Sequence, residues 1–266
     1  MGDLGESSGA TRANVPSPGP SVWARSWKWL FTLVVPGVFV AWLSGFGEWV
    51  QAKLSDEPTV SYSATFPRGQ CETFVVPRMG DDIGAAPEPV DLVEWAVSRD
   101  GAQGATSDTS GAGFGQVLVT LTGYEARPVT VTGIEFEVVE RADPLVGTVV
   151  ANECGGSTEA RFAEVDLDES PPAIVESSAD AVILSAEMET TPLRFPYTIT
   201  GSETESLLII ARTQQYVEWR ARILWSNGES DGVLVVDNDG EPFRVTAPVE
   251  NNTYLVPAGG GEWLRF

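Results

Sequence analysis

Beyond Pro58 the chain alternates apolar and polar positions with a period of two, the pattern of strands that bury one face. Val60, Tyr62, Ala64 and Phe66 alternate with Ser61, Ser63 and Thr65. Val117, Val119 and Leu121 alternate with Leu118, Thr120 and Thr122. Val217, Trp219, Ala221, Ile223 and Trp225 alternate with Glu218, Arg220, Arg222 and Leu224. Leu193, Phe195, Tyr197 and Ile199 share a face, and Pro196 on the other predicts an edge strand, because proline cannot donate to a ladder. The run "LLIIA", Leu207–Ala211, does not alternate, which predicts a central strand covered on both faces.

One segment changes phase. Val129 and Val131 are apolar at odd positions, then Ile134, Phe136 and Val138 at even ones, with Gly133 at the switch. A one-residue slip turns half of a strand inside out unless an extra residue is absorbed, so the pattern predicts a β-bulge at Thr132-Gly133. No sustained helical period occurs between 58 and 266. These elements predict an all-β body, a β-sandwich of which the immunoglobulin-like architecture is one form. "GAAPEP" at Gly84–Pro89 and the Gly-rich stretch Asp100–Gly115 read as loops, the second a candidate sub-boundary within the body.

The acidic stretch "WSNGESDGVLVVDNDGEPF", Trp225–Phe243, reads as turns around a strand. Asn227-Gly228 predicts a type I′ hairpin pairing Ser226 with Glu229, which sets Ala221 opposite Leu234 and Trp219 opposite Val236. "DNDG" predicts a type I turn with a bulge, leading into Phe243, Val245 and Ala247, so the whole reads as a three-strand meander. An EF-type calcium loop starting at Asp237 needs Gly sixth and Glu twelfth but has Pro242 and Pro248 there. Asp237, Asp239 and Glu241 form a candidate for a looser calcium site. Asp81-Asp82 and Asp166–Glu169 are read as solvated loops first and sites second.

Before this body lies a different pattern. Trp29–Gly47 is nineteen positions without a charge, about 28 Å as a helix against a hydrocarbon core of about 30 Å. Its membrane-facing apolar residues are Trp29, Leu30, Phe31, Leu33, Val34, Val35, Val38, Phe39, Val40, Trp42 and Leu43. Five of the nine tryptophans fall between 23 and 49, as interfacial belts require. Arg25 and Lys28 precede the segment and Asp56 and Glu57 follow it, so the positive-inside rule puts the N-terminus in the cytoplasm and the body outside. The expected organisation is a cytoplasmic tail over 1–22, an anchor over 23–50, a linker over 51–57 and a β-sandwich over 58–266. The competing readings are a signal peptide cleaved after Ala52 in "VQA" and a buried soluble helix.

The first 54 residues carry a net charge of +1, so the rest of the chain carries −23 of the total −22. A surface this acidic repels phosphate, which excludes nucleic acid as a partner and leaves the bilayer, through residues 29–47, and an envelope protein or glycan. There is no histidine, which removes Ser-His and Cys-His catalysis and His-ligated zinc. The only lysines are Lys28 and Lys53, so the body has no lysine nucleophile. No cofactor is implied. Cys71 and Cys154, placed outside the cell, most simply form one disulfide, worth about 4–5 kcal/mol in the chain-entropy account. The aromatic tail, Trp263 and Phe266, is expected to pack on the body.

The strings "VTGIEFEVVERADPLVGTVVANECGG", "RFAEVDLDESPP", "LRFPYTIT" and "DNDGEPFRV" resemble a group of membrane-anchored actinobacterial proteins without an assigned activity. The likeness covers most of 117–250. It implies a single N-terminal helix followed by a β-rich outer region, and it carries over no functional residue. The expected role is binding or scaffolding at the cell envelope, the alternative a hydrolase built on a carboxylate pair.

Overall fold

The period-two segments form strands. The structure, a computed structural model, describes residues 60–67, 73–104, 111–123, 128–152, 160–175, 190–201, 203–250 and 252–265. The expected anchor Trp29–Gly47, Cys71 and Cys154 lie outside the described residues. Among the described residues no helix is long and apolar enough to cross a membrane. In chain order the elements are β1 (Val60–Thr65), β2 (Thr73–Val76), a helix α1 (Leu92–Val97), β3 (Ala102–Gln103), β4 (Gly113–Gly123), β5 (Val129–Ala142), β6 (Thr148–Ala151), β7 (Ala160–Asp166) and β8 (Ala173–Val175). Then follow β9 (Thr190–Pro192), β10 (Tyr197–Ile199), β11 (Thr204–Thr213), β12 (Tyr216–Ser226), β13 (Asp231–Val236), β14 (Phe243–Thr246), β15 (Thr253–Gly259) and β16 (Glu262–Arg265).

They assemble into two sheets. The first runs β1-β4-β11-β7-β8, with β9 also on β7. The second runs β10-β5-β12-β14-β3-β2-β6-β15-β16, with β13 also on β12. One buried cluster draws from both: Val117, Val119 and Leu121 of β4 and Leu207 and Ile209 of β11 meet Val217, Trp219, Ala221 and Ile223 of β12. Trp219 is 1% exposed, with Phe243 at 5.1 Å and Phe136 at 6.0 Å between ring centroids. Each such pair adds about 0.5–1.5 kcal/mol beyond the area it buries. The sandwich expected from alternation is therefore a pair of sheets sharing one core, and residues 58–266 cluster as one compact unit.

Strand β11 lies between β4 and β7, and all of Leu207–Ala211 is buried. Leu208 and Ile210 turn away from the shared core and join Phe114, Leu118, Ala160 and Phe162 in a second apolar cluster on the opposite face. That is why this run does not alternate. Tyr197–Ile199 is an edge strand, as Pro196 predicts. The phase change in β5 is a bulge: Gly133 sits opposite Leu224 and Val131 opposite Trp225, so Thr132 is the unpaired extra residue. A second irregularity leaves Val139 unpaired between Val138 and Glu140; its side chain is exposed, so no core pattern announced it.

Two expectations are corrected. A helix, α1, stands in a segment that shows no sustained helical period. Six residues hold too few turns for a period to register, yet Leu92 and Ala96, four apart, bury against Phe74, Val76 and Val150. The turn after the helix closes at Asp100, in a left-handed conformation at φ 60°, and Gly101, where an added Cβ would stand 2.7 Å from the Ala96 carbonyl. The stretch Asp100–Gly115 is also not wholly loop, since it contains β3 and the start of β4.

Candidate functional site

The acidic stretch after Trp225 is neither a simple hairpin nor a meander. Ser226 pairs with Asp231, not Glu229, and Ala221 with Val236, not Leu234. Asn227 closes a four-residue loop in which its N–H donates to the Ser230 carbonyl and its side-chain oxygen accepts from the Glu229 and Ser230 amides. The side chain thus supplies a turn that makes the two-residue loop unnecessary. The slip from the expected register is two residues, so every side chain stays on the face that alternation assigned.

Strands β13 and β14 do not pair with each other. Val236 lies opposite Ala221 and Phe243 opposite Trp219, so both strands run along one edge of β12, with Arg220 alone between their attachment points. Residues Asp237–Pro242 leave this line and return to it. At the tip, Asn238 and Glu241 exchange backbone hydrogen bonds of 2.8 and 3.1 Å around Asp239-Gly240, with φ of 53° and 95°. Two positive φ values mark a type I′ turn, so the geometry expected at Asn227-Gly228 occurs here instead.

Arg220 fixes the base of this excursion. Its Nη2 donates to the Gly240 carbonyl at 2.9 Å and its Nε stands 3.8 Å from Asp237 Oδ2. Asp237 Oδ1 accepts from the Gly240 amide at 2.9 Å and from the Tyr62 hydroxyl at 3.4 Å. Burial, followed by the Asp237 charge, pushes the Tyr62 pKa above its ordinary value. Asp237 is thereby committed to holding the loop. Asp237, Asp239 and Glu241 do not converge as a metal-ligating group; among the described residues no three His, Cys, Asp or Glu side chains do. The calcium reading of this loop is therefore set aside.

The excursion walls a cleft of about 370 Å³, near the lower end of small-ligand sites. Its opposite wall is the last residue of α1, Val97, and the turn after it, Asp100 and Gly101. Phe66, Phe74 and Phe243 form the floor, with Phe66 edge-on to the other two at 5.6 and 6.1 Å. Arg244 joins the walls: its Nη1 donates to Asp100 Oδ1 at 3.3 Å and its Nε to Glu218 Oε1 at 3.2 Å. Glu218 also accepts from the Tyr216 hydroxyl at 2.7 Å. Burial first, and this hydrogen bond second, raise the Tyr216 pKa. Asp100 and Glu241, the two carboxylates lining the cleft, are both exposed, Asp100 with 78% of its side chain in solvent.

The Asp166–Glu169 motif serves the fold. Asp168 accepts from the Thr213 hydroxyl at 2.7 Å and the Gln214 amide at 2.8 Å, pinning the turn between β11 and β12. Arg141 donates to the Leu167 and Glu169 carbonyls of the same Asp166–Glu169 cluster. Trp263 packs on the body as expected, 5.3 Å from Trp95, with its indole N–H donating to the Gly84 carbonyl at 2.9 Å. Sequence reading missed the cleft, because Asp100 and Arg244 are 144 positions apart and neither sits in a local motif. No family model, curated protein or solved structure matches the chain, so the resemblance to membrane-anchored actinobacterial proteins rests on the quoted strings alone.

Proposed function

We propose that the chain is a single-pass envelope protein, held in the bilayer by Trp29–Gly47, whose acidic β-sandwich stands outside the membrane and binds or scaffolds without catalysis. The anchor rests on nineteen uncharged positions flanked by tryptophans and on the asymmetry of Arg25 and Lys28 against Asp56 and Glu57. The observation that carries the non-catalytic part is the exposure of the cleft carboxylates. A glycosidase acid needs a raised pKa at neutral pH, which desolvation supplies, and Asp100 stays largely in water.

The test uses the full chain with tags at both ends, expressed in a bacterial host. After an alkaline carbonate wash the protein should stay in the membrane pellet, and protease added to spheroplasts should remove the C-terminal tag and leave the N-terminal one. Detergent-solubilised protein incubated with envelope glycan should release no new reducing ends. Recovery in the aqueous fraction would overturn the anchor, and glycan cleavage lost in Asp100→Asn or Glu241→Gln would replace binding with hydrolysis.

A further inference from the structure

We propose that the cleft between the turn after α1 and the Asp237–Pro242 excursion is a binding site for a primary alkylammonium group, the chemistry of a lysine side chain or a free diamine. The proposal deepens the binding reading by naming the ligand class, and the cleft itself needs no anchor to operate.

The charges set the sign. Two carboxylates, Asp100 and Glu241, and one guanidinium, that of Arg244, line the cleft, and Glu218 pairs with Arg244 beside it. Arg244 is spanned between Asp100 and Glu218, so its charge is already opposed, and Glu241 makes no ion pair among the described residues. The local excess is negative, and the acidic body around it adds to the same field, which attracts cations and repels carboxylates and phosphates.

The floor sets the shape. Phe66, Phe74 and Phe243 give an apolar base beneath a charged rim, which suits a group with an alkyl stem and a cationic head. Phe66, half-buried, is the ring that a cation or its stem can reach, whereas Phe74 and Phe243 are 1% and 2% exposed. A sugar ring needs a broad exposed aromatic face to stack on, and this floor does not offer one. A metal ion needs converging carboxylates, which this rim does not supply.

The clamp sets the distance between the walls. Arg244 ties Asp100 to β14, and Arg220 ties Gly240 to β12, so the two walls are fixed from opposite sides of the cleft. A preformed site of this kind costs little ordering on binding.

The experiment is saturation-transfer NMR on the full chain in lipid nanodiscs, with empty nanodiscs as blank, comparing n-butylamine with n-butanol. These probes share a stem and differ in the charged head. Butylamine should saturate several-fold more than butanol and lose at least about threefold of its signal at 0.5 M NaCl, since rim charges are screened over a few ångströms there. Glu241→Gln should lower the butylamine signal at least about threefold, and Glu250→Gln, an equal charge change at another exposed position, should leave it unchanged. Equal saturation by the two probes, or equal effects of the two substitutions, would overturn the proposal. Cadaverine and the peptide Gly-Lys-Gly then separate the sources, the stronger of the two identifying the natural ligand as diamine or protein side chain; no signal from either also overturns it. Alkylammonium binding by a chain that stays in the aqueous fraction would remove the anchor and leave the cleft.

Discussion

Arg220 donates to the carbonyl of Gly240, twenty residues later in the chain, at 2.9 Å. That bond explains how an acidic six-residue excursion keeps one shape at the edge of a sheet. The loop departs after Val236 and returns at Phe243, and the single strand residue it skips, Arg220, is the one that holds it. Replacing Arg220 with Ala should speed hydrogen exchange at the Gly240 amide by at least tenfold. Overall stability should fall by only about 1 kcal/mol, the usual worth of such a bond. A uniform increase in exchange over β12 would show instead that Arg220 supports the core.

Gly113 of β4 stands close against Thr246 of β14, in the other sheet. A Cβ there would lie 1.9 Å from the Thr246 carbonyl oxygen, a backbone atom that cannot swing aside. Gly113→Ala should lower unfolding free energy in urea by about 3 kcal/mol or more, at the upper end of overpacking costs. Gly228→Ala meets nothing within 4 Å and should cost only about 1 kcal/mol, for its φ of 84°. Equal losses at the two positions would contradict the contact.

The bulge in β5 makes a paired prediction about deletions. Val131 already pairs with Trp225, so removing Thr132 restores a regular ladder and keeps Val129 and Val131 facing the core. That deletion should cost no more than about 1–2 kcal/mol. Removing Thr130 turns Val129, which is fully buried, toward solvent and should cost the burial of that side chain, about 2 kcal/mol, besides its pairing with Ile199. Thermal melts of the two variants decide the matter, and the reverse order of stability would refute the bulge.

The tyrosines give a pH dependence. Tyr197 and Tyr216 have their pKa values raised, first by burial in both; the Glu205 charge adds to Tyr197 and the Glu218 hydrogen bond to Tyr216. A group whose folded pKa lies above its unfolded value stabilises fully below the unfolded pKa, about 10, and loses that contribution as the pH climbs toward the folded value. Stability should therefore hold up to about pH 10 and fall above it. Tyrosinate absorbance should show these two phenols ionising together with unfolding, and free titration near pH 10 in the folded protein would show them exposed.

The ladder between β2 and β6 bears on the cysteines. Thr73 pairs with Ala151 in antiparallel register, so Cys71 is two residues, and Cys154 three residues, beyond the same end of that ladder in sequence. A disulfide between them is the expected pairing. Peptide mass mapping without reductant should recover a 71–154 cross-link, and reduction should lower stability by about 4–5 kcal/mol. Two alkylatable thiols in protein purified from an oxidising compartment would disprove it.

How far the fold could be read ahead follows from where the information lies. Alternation assigned the inward faces of β1, β4 and β12, the two-sided burial of Leu207–Ala211 and the bulge at Thr132, because each is written as the polarity of neighbouring residues. Alternation has period two, so it could not choose between pairing Ser226 with Glu229 or with Asp231; both put the same side chains inward, and the Asn227 side chain decided. The helix α1 was invisible, since six residues are too short for a helical period and its position depends on the apolar surface of β2 and β6 beneath it.

The cleft belongs wholly to tertiary structure. Residues 66, 74, 100 and 244 come from four separated segments, and nothing in any one of them predicts the others. Sequence alone determined which side chains turn inward, where charge accumulates and which chemistries the chain lacks, because composition and local polarity depend on no partner. Only the folded chain decided that Asp237 braces a loop, that Asp100 faces Arg244, and that three phenylalanines share a floor. Those are distances between positions far apart in the chain, set when two sheets close on a common core.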